Sequence, residues 1–312
     1  MNDNRSVGCH QFIYPVTFDS AFVATYIGMR LRLATTHVPG LPTDFGTTSL
    51  DALTVAETLD FGLKLTNWLG LQGTAGGRSL IGTNLPSFFY EGATFEYFAG
   101  LAAILRLFRS DNTGTQLSLR GSGAYSKGQV ASLFPLFSAP DARVAAREIL
   151  EGSLKDALTT PIHSNQWTGT LALAQAVSPL FGVQVSAGAG YTTATSDRFD
   201  FALGDRHKIT IDGFAFRFGA AVSADFDPRH VPLAVMLEYS FSHEQSTSNP
   251  TEDTTLDSVH RLYGGIYYSG RADLQLGLGA GAELGLNRRF TNVGLSEKPT
   301  SLLTQLVLRY VW

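Results

Sequence analysis

The sequence predicts an all-β fold: a transmembrane, antiparallel, up-and-down β-barrel of about twelve strands, with one helical insertion in its longest loop. Three observations predict it. Apolar residues recur at every second position in segment after segment, the period of a strand with two unlike faces. The connections alternate in length, with turn chemistry near 66, 111, 179, 228 and 270 and longer loops near 42, 83, 145, 201, 250 and 293. Membrane barrels sort their loops in this way, and a soluble sandwich has no reason to. The third is composition: 16% charged residues and 32 glycines among 312 suit a barrel wall better than a solvated surface.

Residues 1–21 lack the period and are expected to form an N-terminal segment, flexible or periplasmic. A single barrel domain is expected over 22–312, interrupted by a helix-containing insertion at 127–165. The first strand, 22–34, sets Val23, Ile27, Met29, Leu31 and Leu33 against Tyr26, Gly28, Arg30 and Arg32. After a loop rich in Pro, Gly and Thr, Leu59, Phe61, Leu63 and Leu65 alternate with Asp60, Gly62 and Lys64. Thr66-Asn67 supplies a turn, and Leu69 and Leu71 resume the apolar face. A loop over 76–92 precedes a strand at 94–109, where Phe95, Tyr97, Leu101, Leu105 and Leu107 oppose Glu96, Gly100 and Arg106. The Ser-Asp-Asn-Thr-Gly turn at 110–114 leads to a return strand, with Leu117 and Leu119 facing away from Arg120.

Residues 127–165 break the pattern. Ser138 reads as a helix cap with Asp141 behind it, and Ala146, Leu150, Leu154 and Leu158 share one helical face. This helix, over 138–160, either plugs the mouth or rests on the rim. Strands resume at 167–177, 183–195 and 214–223, the last setting Phe214, Phe216 and Phe218 against Arg217. Leu237 opposes Glu238 in 231–243, and Arg261 opens 261–268. In 273–284, Leu274, Leu276 and Leu278 oppose Asp273, Gln275 and Glu283.

The last twelve residues, SLLTQLVLRYVW, place Leu306, Leu308, Tyr310 and Trp312 on one face and Gln305, Val307, Arg309 and Val311 on the other. This stretch resembles the final strand of bacterial outer-membrane β-barrels, whose terminal aromatic and alternating apolar residues are read by the assembly machinery. The strand–turn–strand around Thr66-Asn67-Trp68 is similar to hairpins of barrels of the outer-membrane transporter type. The resemblance implies a bacterial outer-membrane location, an assembly signal at Leu306, Leu308, Tyr310 and Trp312, and two partners, the lipid bilayer and the outer-membrane assembly machinery.

Other classes find little support. No apolar run approaches the roughly 20 residues of a membrane helix, and YFAGLAAIL is broken at once by Arg106. A bilayer is then crossed by strands, and only a closed barrel satisfies their backbone groups there. A net charge of −4 without a basic, aromatic-interleaved run gives no footprint for nucleic acid. Cys9 is the sole cysteine, so neither an internal disulfide nor a cysteine zinc cluster forms within the chain. The first eight residues hold no secretory signal, so the leader of an exported barrel is expected to lie outside this chain. No cofactor or metal is expected: the glycines at 277–281 sit mid-strand with no helix opening behind them, and the histidines lack metal spacing. The acidic run at 252–257 is read as a solvated loop before a calcium site.

The apolar face is too continuous for a small soluble core and is assigned to lipid. The lumen then receives Arg30, Arg32, Asp60, Lys64, Glu96, Arg106, Arg120, Arg217, Glu238, Arg261, Asp273, Glu283 and Arg309, eight basic and five acidic. An arginine-rich wall favours anions, which points to a channel or passive transporter for small polar or anionic solutes. The alternative is a structural or surface-interaction barrel with a plugged lumen. A phospholipase-like enzyme is a distant third: His163-Ser164-Asn165 supplies the residue types, but adjacent residues do not converge on one attack geometry. No catalytic residue is assigned, and the oligomeric state stays open.

Overall fold

The computed structural model describes residues 5–43, 46–90, 92–132, 158–200, 205–249, 253–285 and 299–312. Two short strands, β1 (Ser6–Val7) and β2 (His10–Gln11), pair with each other near the N-terminus. Twelve longer ones follow: β3 (Tyr26–Thr43), β4 (Gly46–Lys64), β5 (Leu69–Gly82), β6 (Ala93–Ser110), β7 (Thr115–Ala131), β8 (Thr159–Ala176), β9 (Phe181–Asp200), β10 (Asp205–Asp225), β11 (Leu233–Asn249), β12 (Asp253–Tyr268), β13 (Leu274–Gly285) and β14 (Thr300–Val311). Each pairs antiparallel with its sequence neighbours, and β14 pairs with β3 from Thr300↔His37 to Val311↔Tyr26, so the sheet closes. Closure leaves no unpaired sheet edge.

The alternation read from the sequence sorts inside from outside. Leu31, Leu306, Leu278 and Ile266 are cross-strand partners in one row around the wall, and all four are exposed. Toward the long-loop end, Trp167, Tyr191 and Phe214 form a second exposed row. Toward the short-turn end stand Trp68, Tyr310 and Trp312. An apolar band flanked by aromatic rings is the exterior of a membrane barrel. In water so large an exposed apolar surface would aggregate.

Three expectations are corrected. The loops near 42, 201 and 250 are largely strand, because hairpins continue past the apolar band on polar cross-strand pairs such as Ser246–Thr255 at 2.8 Å. The loop at 76–92 is β5 up to Gly82 followed by helix α1 (Leu85–Tyr90). The insertion expected at 127–165 is shorter, since β7 runs to Ala131 and β8 starts at Thr159. The helix placed over 138–160 falls almost wholly outside the described residues.

The N-terminal segment departs furthest from expectation. Rather than lying free of the barrel, residues 5–25 are packed inside it, and β3 starts at Tyr26, not at 22. Phe22 and Val23, read from the sequence as strand residues, are fully buried in the lumen. Phe12, Tyr14, Phe22, Ala24 and Tyr26 pack against Ala172, Ala174 and Val311 of the wall. Ile13 packs against Ala221, Met236, Tyr267 and Val307. Among the described residues, the buried apolar clusters inside the barrel each take in side chains of this segment.

Candidate functional site: the lumen

The inward side chains of the short-turn half grip this segment through its backbone. Arg5 donates to the carbonyls of Ala272 and Arg271, both at 2.9 Å, and of Leu274 at 3.1 Å, which anchors the entry point beside the turn before β13. His10 bonds the Pro179 carbonyl through Nδ1 and the Ser223 hydroxyl through Nε2, both at 3.1 Å. Burial pushes its imidazole below the usual histidine range. Gln184 donates to the Ile13 carbonyl at 2.7 Å, while Gln275 accepts from the Tyr14 N–H at 3.2 Å and donates back to its carbonyl at 3.4 Å. Gln116 and Ser118 both donate to the Ala21 carbonyl, at 2.5 and 2.6 Å.

Glu238 is fully buried and accepts from the Val16 N–H at 3.0 Å and from the Thr17 N–H and hydroxyl at 2.8 Å. Phe18 rests on Gly219, where a β-carbon would collide with its ring. Asp19 takes a hydrogen bond from Thr170 and an ion pair from Arg120, both at 2.9 Å. The chain then returns, and the Thr25 carbonyl accepts from the N–H of Trp312 at 3.0 Å. Entry and exit are therefore at the short-turn end, and Thr17–Asp19 form the apex of a hairpin-shaped plug.

Arg309 ties plug to wall. It reaches Asp60 at 2.5 Å and lies over the rings of Tyr14 and Tyr26, 4.6 and 4.9 Å from their centroids. Asp60 also accepts from Arg30 at 3.1 Å. A carboxylate buried at 5% exposure demands such partners, because an unpaired charge there costs several kcal/mol.

Beyond the apex the lumen opens. A cavity of about 520 Å³ is floored by Phe18 and Asp19 and walled by Arg217, Ser240, Arg261 and Glu283 among others. A second space of about 370 Å³ is lined by Arg30, Arg32, Arg78, Glu96 and Gln305. Here charges pair with each other rather than with backbone. Glu283 accepts from Arg261 at 2.6 Å and from Arg32 at 3.5 Å, and Arg78 bonds Glu96.

Of the charged residues assigned to the lumen, Arg30, Arg32, Asp60, Glu96, Arg120, Arg217, Glu238, Arg261, Glu283 and Arg309 appear in the plug contacts or cavity linings just given. Lys64 ends β4 at the short-turn rim, where its N–H donates to the Thr25 hydroxyl. Arg106 lies within electrostatic range of Tyr14. Asp273 belongs to the turn before β13 and bonds Arg271 at 2.6 Å, so it sits at the mouth. That pair holds its carboxyl near pKa about 2. Leu306, Leu308, Tyr310 and Trp312 all point outward. His163 bonds Tyr125, whereas its neighbour Ser164 bonds Ser126 across the other face, so the His-Ser-Asn run does not assemble a triad. Among the described residues no cluster of three metal-ligating side chains occurs. The acidic run at 252–257 overlaps β12.

The residues missed from sequence are those that hold the plug: Arg5, His10, Gln116, Ser118, Gln184 and Gln275. One signal was present. Residues 12–16 and 21–24, FIYPV and AFVA, are apolar without a period, which marks chain buried on all sides rather than a flexible tail.

No protein family and no curated protein matches the sequence. Solved structures do. An outer membrane channel from Pseudomonas putida F1 superposes with a TM-score of 0.56 at 12% identity, covering 96% of this chain and 100% of that one. The translocator domain of the autotransporter NalP from Neisseria meningitidis gives 0.55 at 10% identity, over 93% and 90%. The transport unit of the autotransporter AIDA-I from Escherichia coli gives 0.53 at 11%, over 96% and 94%. At these identities the likeness is one of fold, and the fold of this chain is that of the bacterial outer-membrane β-barrels.

Proposed function

We propose that the protein is an outer-membrane channel for small polar or anionic solutes, whose N-terminal segment closes the periplasmic end of the lumen in this state. The carrying observation is the split lumen: a charged cavity of about 520 Å³ stands above a plug that fills the short-turn half. A purely structural barrel has no need of such a cavity. The arginines of the smaller upper space, Arg30, Arg32 and Arg78 against Glu96, favour anions. Because the plug enters and leaves at one end, any chain preceding it stays on that side. This arrangement speaks against export of an N-terminal passenger, although autotransporter barrels share the fold. The outward row ending in Trp312 fits a strand read by the assembly machinery.

The test is conductance in a planar bilayer of the wild-type chain and of Glu238→Ala, which removes the acceptor for the plug apex. The wild type is expected to show small, brief openings, and the variant larger, longer and anion-selective ones. A variant that folds, releases its plug to protease and still does not conduct overturns the channel reading. That outcome leaves the second reading, a structural or surface-interaction barrel. The number of wall contacts to residues 5–25 favours this reading.

A further inference from the structure

We propose that the cavity above the plug holds a binding site for a small organic monocarboxylate, built from Arg217 and Ser240. The inference rests on the channel reading and names the solute class its lumen takes. It begins from an imbalance in pairing. Arg30, Arg120, Arg261 and Arg309 each reach a carboxylate within 3.1 Å, and Arg32 reaches one at 3.5 Å. Arg217 lines the same lumen and makes no hydrogen bond or ion pair among the described residues; the carboxylates that act on it, Asp19 and Glu244, lie beyond ion-pair distance.

A second polar group is also unused. Ser240 is 5% exposed, lines this cavity, and its hydroxyl has no hydrogen-bond partner. A buried hydroxyl without a partner is uncommon. The register brings the two groups together. Arg217 is the cross-strand partner of Ser242, and Gly219 that of Ser240, so Arg217 and Ser240 are diagonal neighbours on the inner face. The backbones of diagonal neighbours stand roughly 7–8 Å apart, close enough for one carboxylate to accept from the guanidinium fork and the hydroxyl together. Gly219, between them, carries the ring of Phe18, which offers an apolar surface to the rest of the molecule.

Charge selects the class. The cavity lining holds four acids, Asp19, Glu244, Asp257 and Glu283, against three arginines, Arg78, Arg217 and Arg261. One additional negative charge finds one uncommitted guanidinium, while a dianion such as phosphate meets surplus acid. Arginine also matches a carboxylate bidentately, which a lysine does not.

The experiment is calorimetric titration of the full chain in detergent with benzoate, benzamide and inorganic phosphate. Benzoate is expected to bind saturably, benzamide and phosphate at least about tenfold more weakly. Arg217→Gln is expected to weaken benzoate about tenfold or more, and Ser240→Ala about threefold to tenfold, with both variants keeping the wild-type strand signal in circular dichroism. If Arg217→Gln does not fold, Ser240→Ala and Arg217→Lys carry the test, since lysine keeps the charge and loses the fork. Benzoate affinity unchanged in these variants, benzamide binding equally well, or phosphate binding more tightly overturns the proposal. Conductance of the same preparation separates the two readings. Binding without conductance upholds the site and removes the channel; conductance without binding removes the site and leaves the channel standing.

Discussion

The two halves of the lumen are built on the same twelve strands and the same alternation, yet they use their inward residues in opposite ways. In the short-turn half, amides, hydroxyls and one glutamate are spent on the backbone of the plug, and apolar rings fill the remaining space. In the long-loop half, arginines and carboxylates pair across strands around open volume. The difference shows that a barrel wall does not decide whether its interior is core or open space. That is decided by which neighbours its inward side chains are given.

The comparison can be broken in several ways. The largest effect is expected on the outer face, which both halves share. Leu278→Arg, in the exposed row with Leu31, Leu306 and Ile266, should destabilise the barrel by about 2–4 kcal/mol near the bilayer midplane, read from denaturant unfolding in lipid. A cost near zero would mean that this row does not face lipid.

Next come two glutamates, one from each half. Glu238→Ala removes an acceptor of three donors and should cost plug docking about 1.5–3 kcal/mol, read as faster proteolysis within residues 5–25 while the barrel stays resistant. Glu283→Gln removes a carboxylate from the wetter, arginine-lined half. Its cost to stability should be the smaller of the two, since glutamine keeps an oxygen that accepts from the arginines, and its main effect a shift of selectivity toward anions. If the two variants behave alike, the halves are not different environments.

The third effect is pH-dependent and belongs to the plugged half alone. Burial lowers the pKa of His10, so the plugged state favours the neutral ring. Its stabilising contribution is complete above the ordinary histidine pKa of about 6.5 and is lost as pH falls through the lower value of the docked state. Protease access to residues 5–25 should therefore rise below about pH 6.5, and His10→Gln should flatten the profile. The smallest effect is at the mouth. Asp273→Asn breaks an exposed pair whose carboxyl titrates only near pH about 2, so plug access and conductance at neutral pH should not change.

Much of the barrel was legible because a strand in a two-faced wall repeats every two residues, and the twelve wall strands from β3 to β14 keep that repeat across the apolar band. Periodicity failed where one face ceased to be apolar. Thr247 and Thr254 extend a hairpin as cross-strand partners, but nothing in a Ser- and Thr-rich stretch distinguishes strand from loop. The lumen was half legible. Arg32 and Glu283 sit on polar faces as read, and they do line a cavity wall. Gln275 stands on the polar face of its strand. It is fully buried against Tyr14, because a strand's period says which side a residue faces and not what stands there. The plug itself has no period, and its partners are scattered from Gln116 to Gln275, a separation that no local pattern reports.

The contact between Thr25 and Trp312 carries a consequence for the order of folding. The plug is made from the first residues of the chain, and its last wall contacts, Arg309 over Tyr14 and Trp312 on Thr25, come from the final strand. Contacts of such sequence separation form late, after loop-closure entropy has been overcome. The β14–β3 seam spans a comparable separation, from Val311↔Tyr26 to Thr300↔His37, so closing the cylinder and seating its stopper belong to the same late stage of folding.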